Sequence, residues 1–249
     1  MITFTEPPAP DKRAARGAWE RGTNAYQGQL VAAYDRWAAA TEREMALAMQ
    51  RGAGEQELRL ILERRVALLT TTMQRLTQDG IYRGVKAGLG KRAPGIATRS
   101  VIGRKLLENR ETVQAKLAPR IEAVIAERIT PGMDRAALKA AFLPARSYPA
   151  TYAGQYWVMI FEVQRAEGLE LDREAKRLGR DPARVKWMLD PLAVHCEASE
   201  GRYGCPDLEG EYDSWDDLPT VPAGQVSCHG NCRCHLVVWR DGAWRRGLE

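Results

Sequence analysis

Three features of the 249-residue chain predict a mainly α-helical fold. Ala, Arg, Leu, Glu and Gly abound while only 3 of the aromatics are Phe, a composition that favours helices over a β-sandwich. Apolar residues recur at three- and four-residue spacing over long stretches of the first 180 positions. Every cysteine and histidine is held back to a short C-terminal segment, which sets the end of the chain apart from the rest. The expected architecture is an irregular multi-helix body followed by a small C-terminal loop/β module.

The elements follow in order. Residues 1–12 contain Pro7, Pro8 and Pro10 and predict an extended arm. Residues 13–79 predict a hairpin of two long helices. In the first, Leu30, Tyr34, Trp37, Ala38, Thr41, Met45 and Met49 lie mostly at helical spacing; after Gly52 and Gly54, Leu58, Ile61, Leu62, Arg65, Leu69, Met73 and Leu76 continue to a stop near Gly80. Residues 80–95 hold five glycines and Pro94 among Lys and Arg, a composition that predicts a basic loop or hinge.

Residues 96–186 read as a helical body. Val113, Leu117, Ile121, Val124, Ile125 and Ile129 form a stripe with Asn109 as its N-cap, and Pro119 either kinks the helix or starts a second one. A short helix is expected over 134–142. One or two more are expected from Thr151 to about Leu178, with Tyr152, Tyr156, Trp157, Ile160 and Phe161 as core. The last segment is 187–249. No period of 20 to 50 residues repeats, which excludes solenoids and arrays.

Charge is unevenly shared. The net +5 conceals 5 basic against 10 acidic side chains over 195–249, and 32 against 22 before them. Residues 81–120 alone carry ten basic groups against Glu108 and Glu111. Within that stretch Arg83, Lys86, Lys91, Arg92, Arg99, Arg104 and Lys105 could contact phosphates; a solvated helix face or a seam for an acidic protein is the competing reading. The longest obvious apolar run, Trp157 to Phe161, falls far short of the roughly 20 residues of a membrane span, so no membrane partner is expected. The opening MITFTEPPAPDKRAARG has prolines and an acid where a secretory peptide carries an apolar core, so synthesis in a reducing cytoplasm is expected.

Chemistry concentrates in one place. Cys196, Cys205, Cys228, Cys232 and Cys234 share 41 residues with His195, His229 and His235, and none of these residue types occurs earlier. Thiolate and imidazole are the ligands of tetrahedral Zn²⁺, and structural sites close with four of them. The candidate ligands are Cys196, Cys205, Cys232 and one of Cys228 or His229, because adjacent residues rarely both reach one ion; Cys234, His195 and His235 are reserves. Disulfides would leave one of the five cysteines unpaired, and unmetallated reduced thiols are the remaining alternative. His195-Cys196-Glu197 offers the H-x-E of zinc deaminases, but the P-C-x-x-C half is missing. Neither H-E-x-x-H nor a phosphate-cradling G-x-x-x-x-G-K-[ST] is present. Asp207, Glu209, Glu211, Asp213, Asp216 and Asp217 lack the spacing of a calcium loop and read as a solvated acidic surface. A structural zinc ion is expected, which would make the tail a zinc-bearing module.

The run WMLDPLAVHCEASEGRYGCPDLEGEYDSWDDLPTVPAGQVSCHGNCRCHL from Trp187 resembles the C-terminal signature of the head morphogenesis, or minor head protein, family of tailed bacteriophages, which includes the phage Mu F-like proteins. The matching features are Trp187 and Asp190, the paired Cys196 and Cys205, Leu218-Pro219 with Pro222, and HGNCRC from His229 to Cys234. The family usually spaces its first two cysteines more closely and has Pro where Gly230 stands. The resemblance implies a non-enzymatic minor capsid component that joins portal or major capsid protein during assembly. It would reside in the virion, in the head interior or at the portal vertex, after assembly in the host cytoplasm, and could accompany packaged DNA. A zinc-dependent nucleic-acid-binding protein is the alternative reading, and a zinc hydrolase or nuclease a more distant one.

Overall fold

The computed structural model describes residues 12–191, 193–222, 224–228 and 232–246. The expected arm over 1–12 lies outside them but for its last residue. Among the described residues are six α-helices, α1 Lys12–Gln50, α2 Glu55–Leu89, α3 Ile96–Thr112, α4 Ala118–Ala126, α5 Arg135–Phe142 and α6 Gly154–Arg177, and four strands, β1 Val185–Met188, β2 Gly210–Tyr212, β3 His235–Arg240 and β4 Ala243–Arg246. The protein is therefore mainly α with a small C-terminal sheet. No helix among the described residues is long and apolar enough to cross a membrane. The chain divides into two compact units, one of residues 25–80 and 105–153, the other of 81–104, 154–246 and the described part of 1–24.

In the first unit α1 and α2 run antiparallel. Gly52 ends α1 at φ 85°, the left-handed conformation glycine adopts at little cost, and the Ala53 N–H closes back on the Ala48 carbonyl at 3.0 Å. Glu55 and Glu57 open α2, where acidic groups complement the helix dipole. The helices bury Leu30, Tyr34, Trp37, Met45, Leu58, Leu62, Leu69 and Met73, as their spacing predicts. Aromatic polar tips find main-chain acceptors: Trp37 Nε1 donates to the Arg65 carbonyl at 2.5 Å and Tyr34 Oη to that of Phe142 at 2.6 Å. The stripe of Val113, Leu117, Ile121 and Ile125 is buried as expected.

Asn109 does not cap this stripe. It sits inside α3, buried, and donates its amide to Thr77 Oγ1 at 2.6 Å. The chain stays helical through Val113–Leu117 by widening into a π-turn, and Pro119 then falls at the start of α4. A proline lacks an N–H and crowds the carbonyl one turn back, and the widened turn relieves both. Asp134 caps α5 by accepting from the Ala137 N–H at 2.8 Å, so the short helix expected over 134–142 begins one residue later.

The second unit corrects the expected loop over 80–95. Helix α2 continues through Gly80, Gly84 and Gly88, and only residues 90–95 are non-helical. These glycines serve close packing. A Cβ on Gly84 would lie 2.5 Å from the Tyr156 carbonyl oxygen, and one on Gly88 2.5 Å from that of Ile160, so α2 meets the backbone of α6 at both turns. Glycine's entropic cost in a helix is offset by this contact, which local composition does not reveal. The first turn of α3 is capped from α6: Glu167 Oε2 accepts from the Gly95 N–H at 3.1 Å and Thr98 Oγ1 at 2.9 Å, and Glu170 Oε1 from the Ala97 N–H at 2.6 Å. Trp157 and Phe161 are core residues in edge contact, with ring centroids 5.0 Å apart.

The sheet has the order β2-β1-β3-β4, and every pairing is antiparallel. Its first strand starts at Val185, inside a stretch expected to close the helical body. Asp241 and Gly242, at φ 50° and 74°, form the two-residue turn between β3 and β4 that a right-handed strand twist favours. Trp239 and Trp244 pair across that hairpin with centroids 5.2 Å apart. The segment between β2 and β3 docks on α6: Trp215 packs over Gly168, and its N–H donates to Asp172 Oδ2 at 2.7 Å.

Candidate metal centre

The cysteines are delivered by loops around the sheet. Residues 196–205 form a small hairpin turning at Gly201, with Ser199 and Arg202 bridged and the Cys205 N–H donating to the Cys196 carbonyl at 3.1 Å. Gly204 is required there, because a Cβ would fall 2.8 Å from the Ala198 nitrogen and 2.7 Å from Asp207 Oδ2. Pro206–Leu208 then form a single 3₁₀ turn, the tight turn that Cys205-Pro206 suggests. A parallel bridge joins Tyr203 to Val226, with Tyr203 N–H donating to the Gln225 carbonyl at 3.0 Å and Ser227 N–H to that of Tyr203 at 3.1 Å. Counting two residues along both chains sets Cys205 beside Cys228. Cys232 and Cys234 precede β3, whose first residue pairs with Met188 of β1.

The sulfurs converge. Cys205 Sγ lies 3.4 Å from Cys196 Sγ, 3.5 Å from Cys228 Sγ and 3.7 Å from Cys232 Sγ. Cys234 belongs to the same cluster, with its sulfur within 4.8 Å of those of Cys205 and Cys232. A tetrahedron with metal–sulfur bonds of about 2.3 Å has sulfur–sulfur edges of about 3.8 Å, so the spacing fits thiolates sharing a metal ion. None of the five forms a disulfide, and Cys205, Cys232 and Cys234 are buried while Cys196 and Cys228 are half-buried. Together with His195 and Arg233 they line a cavity of about 350 Å³.

Crowding controls their ionisation. Hydrogen bonds among Cys205, Cys228, Cys232 and Cys234, followed by burial, raise the Cys205 thiol far above its ordinary range. Cys228 and Cys234 also end higher: contact with Cys205 lowers each, but Cys232 and burial outweigh it. Cys196 ends lower, since hydrogen bonds from Cys205 and Cys228 overcome its burial. Charged thiolates this close repel one another, and a soft divalent cation held among them would offset that repulsion.

Of the sequence candidates, the structure unites Cys196, Cys205, Cys228, Cys232 and Cys234, while His229 lies outside the described residues. His195 is half-buried at the cavity wall, and His235 is buried as the first residue of β3. Several of the basic candidates are paired. Arg92 pairs with Glu167 at 3.7 Å, Arg104 with Glu162 at 3.8 Å and Lys105 with Glu108 at 3.3 Å, and Arg99 donates to the Pro94 carbonyl at 3.0 Å. Arg83, Lys86 and Lys91 are exposed. Sequence reasoning missed Gly168, Asp172 and Trp215, which dock the cysteine-bearing module on α6; only the isolated Trp215 in an acidic run hinted at a buried anchor. The fold and site define a helical protein with a thiolate cluster able to hold a metal ion. Comparison of the chain with protein-family models, curated proteins and solved structures finds no match.

Proposed function

We propose that the chain is a non-enzymatic minor head protein of a tailed bacteriophage or prophage, acting in head morphogenesis beside portal or major capsid protein, with structural zinc pinning its C-terminal module. The observation that carries this reading is the convergence of Cys196 and Cys205 with Cys228, Cys232 and Cys234 from the HGNCRC end of the motif, at sulfur spacings suited to zinc. A motif of shared letters alone would not require its two halves, 23 residues apart between Cys205 and Cys228, to meet in space.

Zinc is the fitting ion because a thiolate-rich, redox-silent centre would pin the loops that meet at the sulfurs beside the sheet. The helical units supply surfaces for capsid or portal, and exposed Arg83, Lys86 and Lys91 offer charge to packaged DNA. The site of action is the virion, at the head interior or portal vertex. Mass spectrometry of purified heads from a particle-producing source strain tests this: the chain should co-sediment with portal and capsid, and heads lacking it overturn the reading. Elemental analysis of the reduced chain tests zinc separately.

A further inference from the structure

We propose that the thiol cluster is a two-ion centre in which the Cys205 sulfur bridges two divalent cations, zinc in the cell. This rests on the thiolate–metal reading above and concerns how many ions the thiols enclose. A sulfur at one corner of a single tetrahedral site has three sulfur neighbours. Cys205 has four: Cys196, Cys228 and Cys232 at 3.4, 3.5 and 3.7 Å, and Cys234 within 4.8 Å. The mutually close sulfurs form two triads, Cys196/Cys205/Cys228 and Cys205/Cys232/Cys234, and Cys205 is common to both. Two tetrahedra sharing one corner have that connectivity, because a thiolate retains lone pairs after binding its first ion.

The chain supplies the triads separately. Cys196 and Cys228 reach Cys205 through the 196–205 hairpin and the bridge from Tyr203 to Val226, whereas Cys232 and Cys234 arrive on the two residues flanking Arg233 before β3. Burial favours the second ion as well. One ion with four thiolates carries a formal charge of about −2 and leaves a fifth thiol idle, whereas two ions with five thiolates carry about −1. With Cys205, Cys232 and Cys234 each only 1% exposed, the smaller uncompensated charge is the less costly state. Corner-sharing tetrahedra need two donors beyond the five sulfurs. His195, on the wall of the same cavity, supplies a nitrogen to the ion of the Cys196 triad, and solvent entering the cavity completes the other.

Cobalt titration of the reduced, full-length chain under anaerobic conditions tests this, read by thiolate-to-cobalt charge-transfer absorbance and by paramagnetic resonance. Absorbance should saturate at two cobalt ions per chain, and the resonance intensity per ion should fall as the second enters, because a bridging sulfur couples the two spins. Cys234→Ser, which leaves the other triad whole, should halve the stoichiometry. Saturation of the wild type at one ion with full resonance intensity overturns the two-ion centre while leaving the thiolate–metal reading standing. No cobalt uptake overturns both. Cys234→Ser still binding two coupled ions overturns the division into triads, and coupling that persists in Cys205→Ser overturns the bridge.

Discussion

Gly168 of α6 lies directly beneath the Trp215 indole, so that a Cβ at position 168 would stand 2.3 Å from the ring. The ring has nowhere to retreat: Trp215 is 1% exposed, and its N–H is held by Asp172, one helical turn beyond Gly168. The pair joins the segment between β2 and β3 to the helix.

Gly168→Ala should therefore destabilise the second unit. In an open helix the change would gain about 1 kcal/mol of propensity, but overpacking a rigid core costs about 1–3 kcal/mol, and here the opposing atoms belong to an aromatic ring. Thermal unfolding followed by tryptophan fluorescence checks this; a melting temperature equal to or above wild type would refute the contact.

The same comparison separates the glycines of α2 from that of α3. Gly84→Ala and Gly88→Ala push a methyl against main-chain oxygens of α6, which cannot rotate away, so each should lower stability by about 1–3 kcal/mol. Gly103→Ala, with nothing within 4 Å, should raise it by about 0.5–1 kcal/mol. Chemical denaturation of the three variants supplies the ranking, and a stabilising Gly84→Ala would show that no carbonyl of α6 opposes position 84.

That contrast marks what the sequence could disclose. The spacing of Leu30 to Met49 and of Leu58 to Met73 specifies amphipathic helices, because these signals are local. The clustering of cysteines likewise announces a metal-binding tail. The helical state of residues 80–89 depends on carbonyls of α6 some 70 residues away, and no local rule anticipates them. Asn109 reads as a cap from its type alone, yet its partner Thr77 is 32 positions distant. Strand β1 is four residues long and has too few positions to show an alternation.

Two aspartates should give stability opposite dependences on pH. Arg146 donates to both carboxylate oxygens of Asp35, at 2.8 and 2.9 Å, and holds its ionisation below the ordinary range. Its stabilisation is present above an unfolded value of about 3.9 and is lost as pH falls through the folded value. Both partners are about half exposed, so the effect stays under about 1 kcal/mol. Burial instead raises Asp172, despite the Trp215 N–H it accepts. Its contribution is most favourable below the unfolded value and declines as pH rises towards the folded one. Urea titrations from pH 3 to 7, each expressed as wild type minus Asp→Asn variant, should slope upward with pH for Asp35→Asn and downward for Asp172→Asn; slopes of the same sign would contradict the assignment.

Removing metal should loosen the C-terminal module and spare the helices. The hairpin at 196–205, the strand-like bridge to Val226 and the entry to β3 meet at the sulfurs, while α1 to α5 contribute none of the cysteines. Cys232→Ser replaces a buried thiolate with a hydroxyl that is a poor ligand for a soft cation, so metal content should fall and amide hydrogens of 196–238 should exchange faster. Far-ultraviolet circular dichroism should retain most of its helical amplitude, because the helices are held by their own cores. Chelator treatment of the wild type should reproduce the exchange pattern. Acid should do the same as protons compete for the thiolates, with metal released on lowering pH and regained on raising it. Undiminished metal in Cys232→Ser would remove this residue from the ligand set, and collapse of the helical signal would show that the ion organises far more of the molecule than its module.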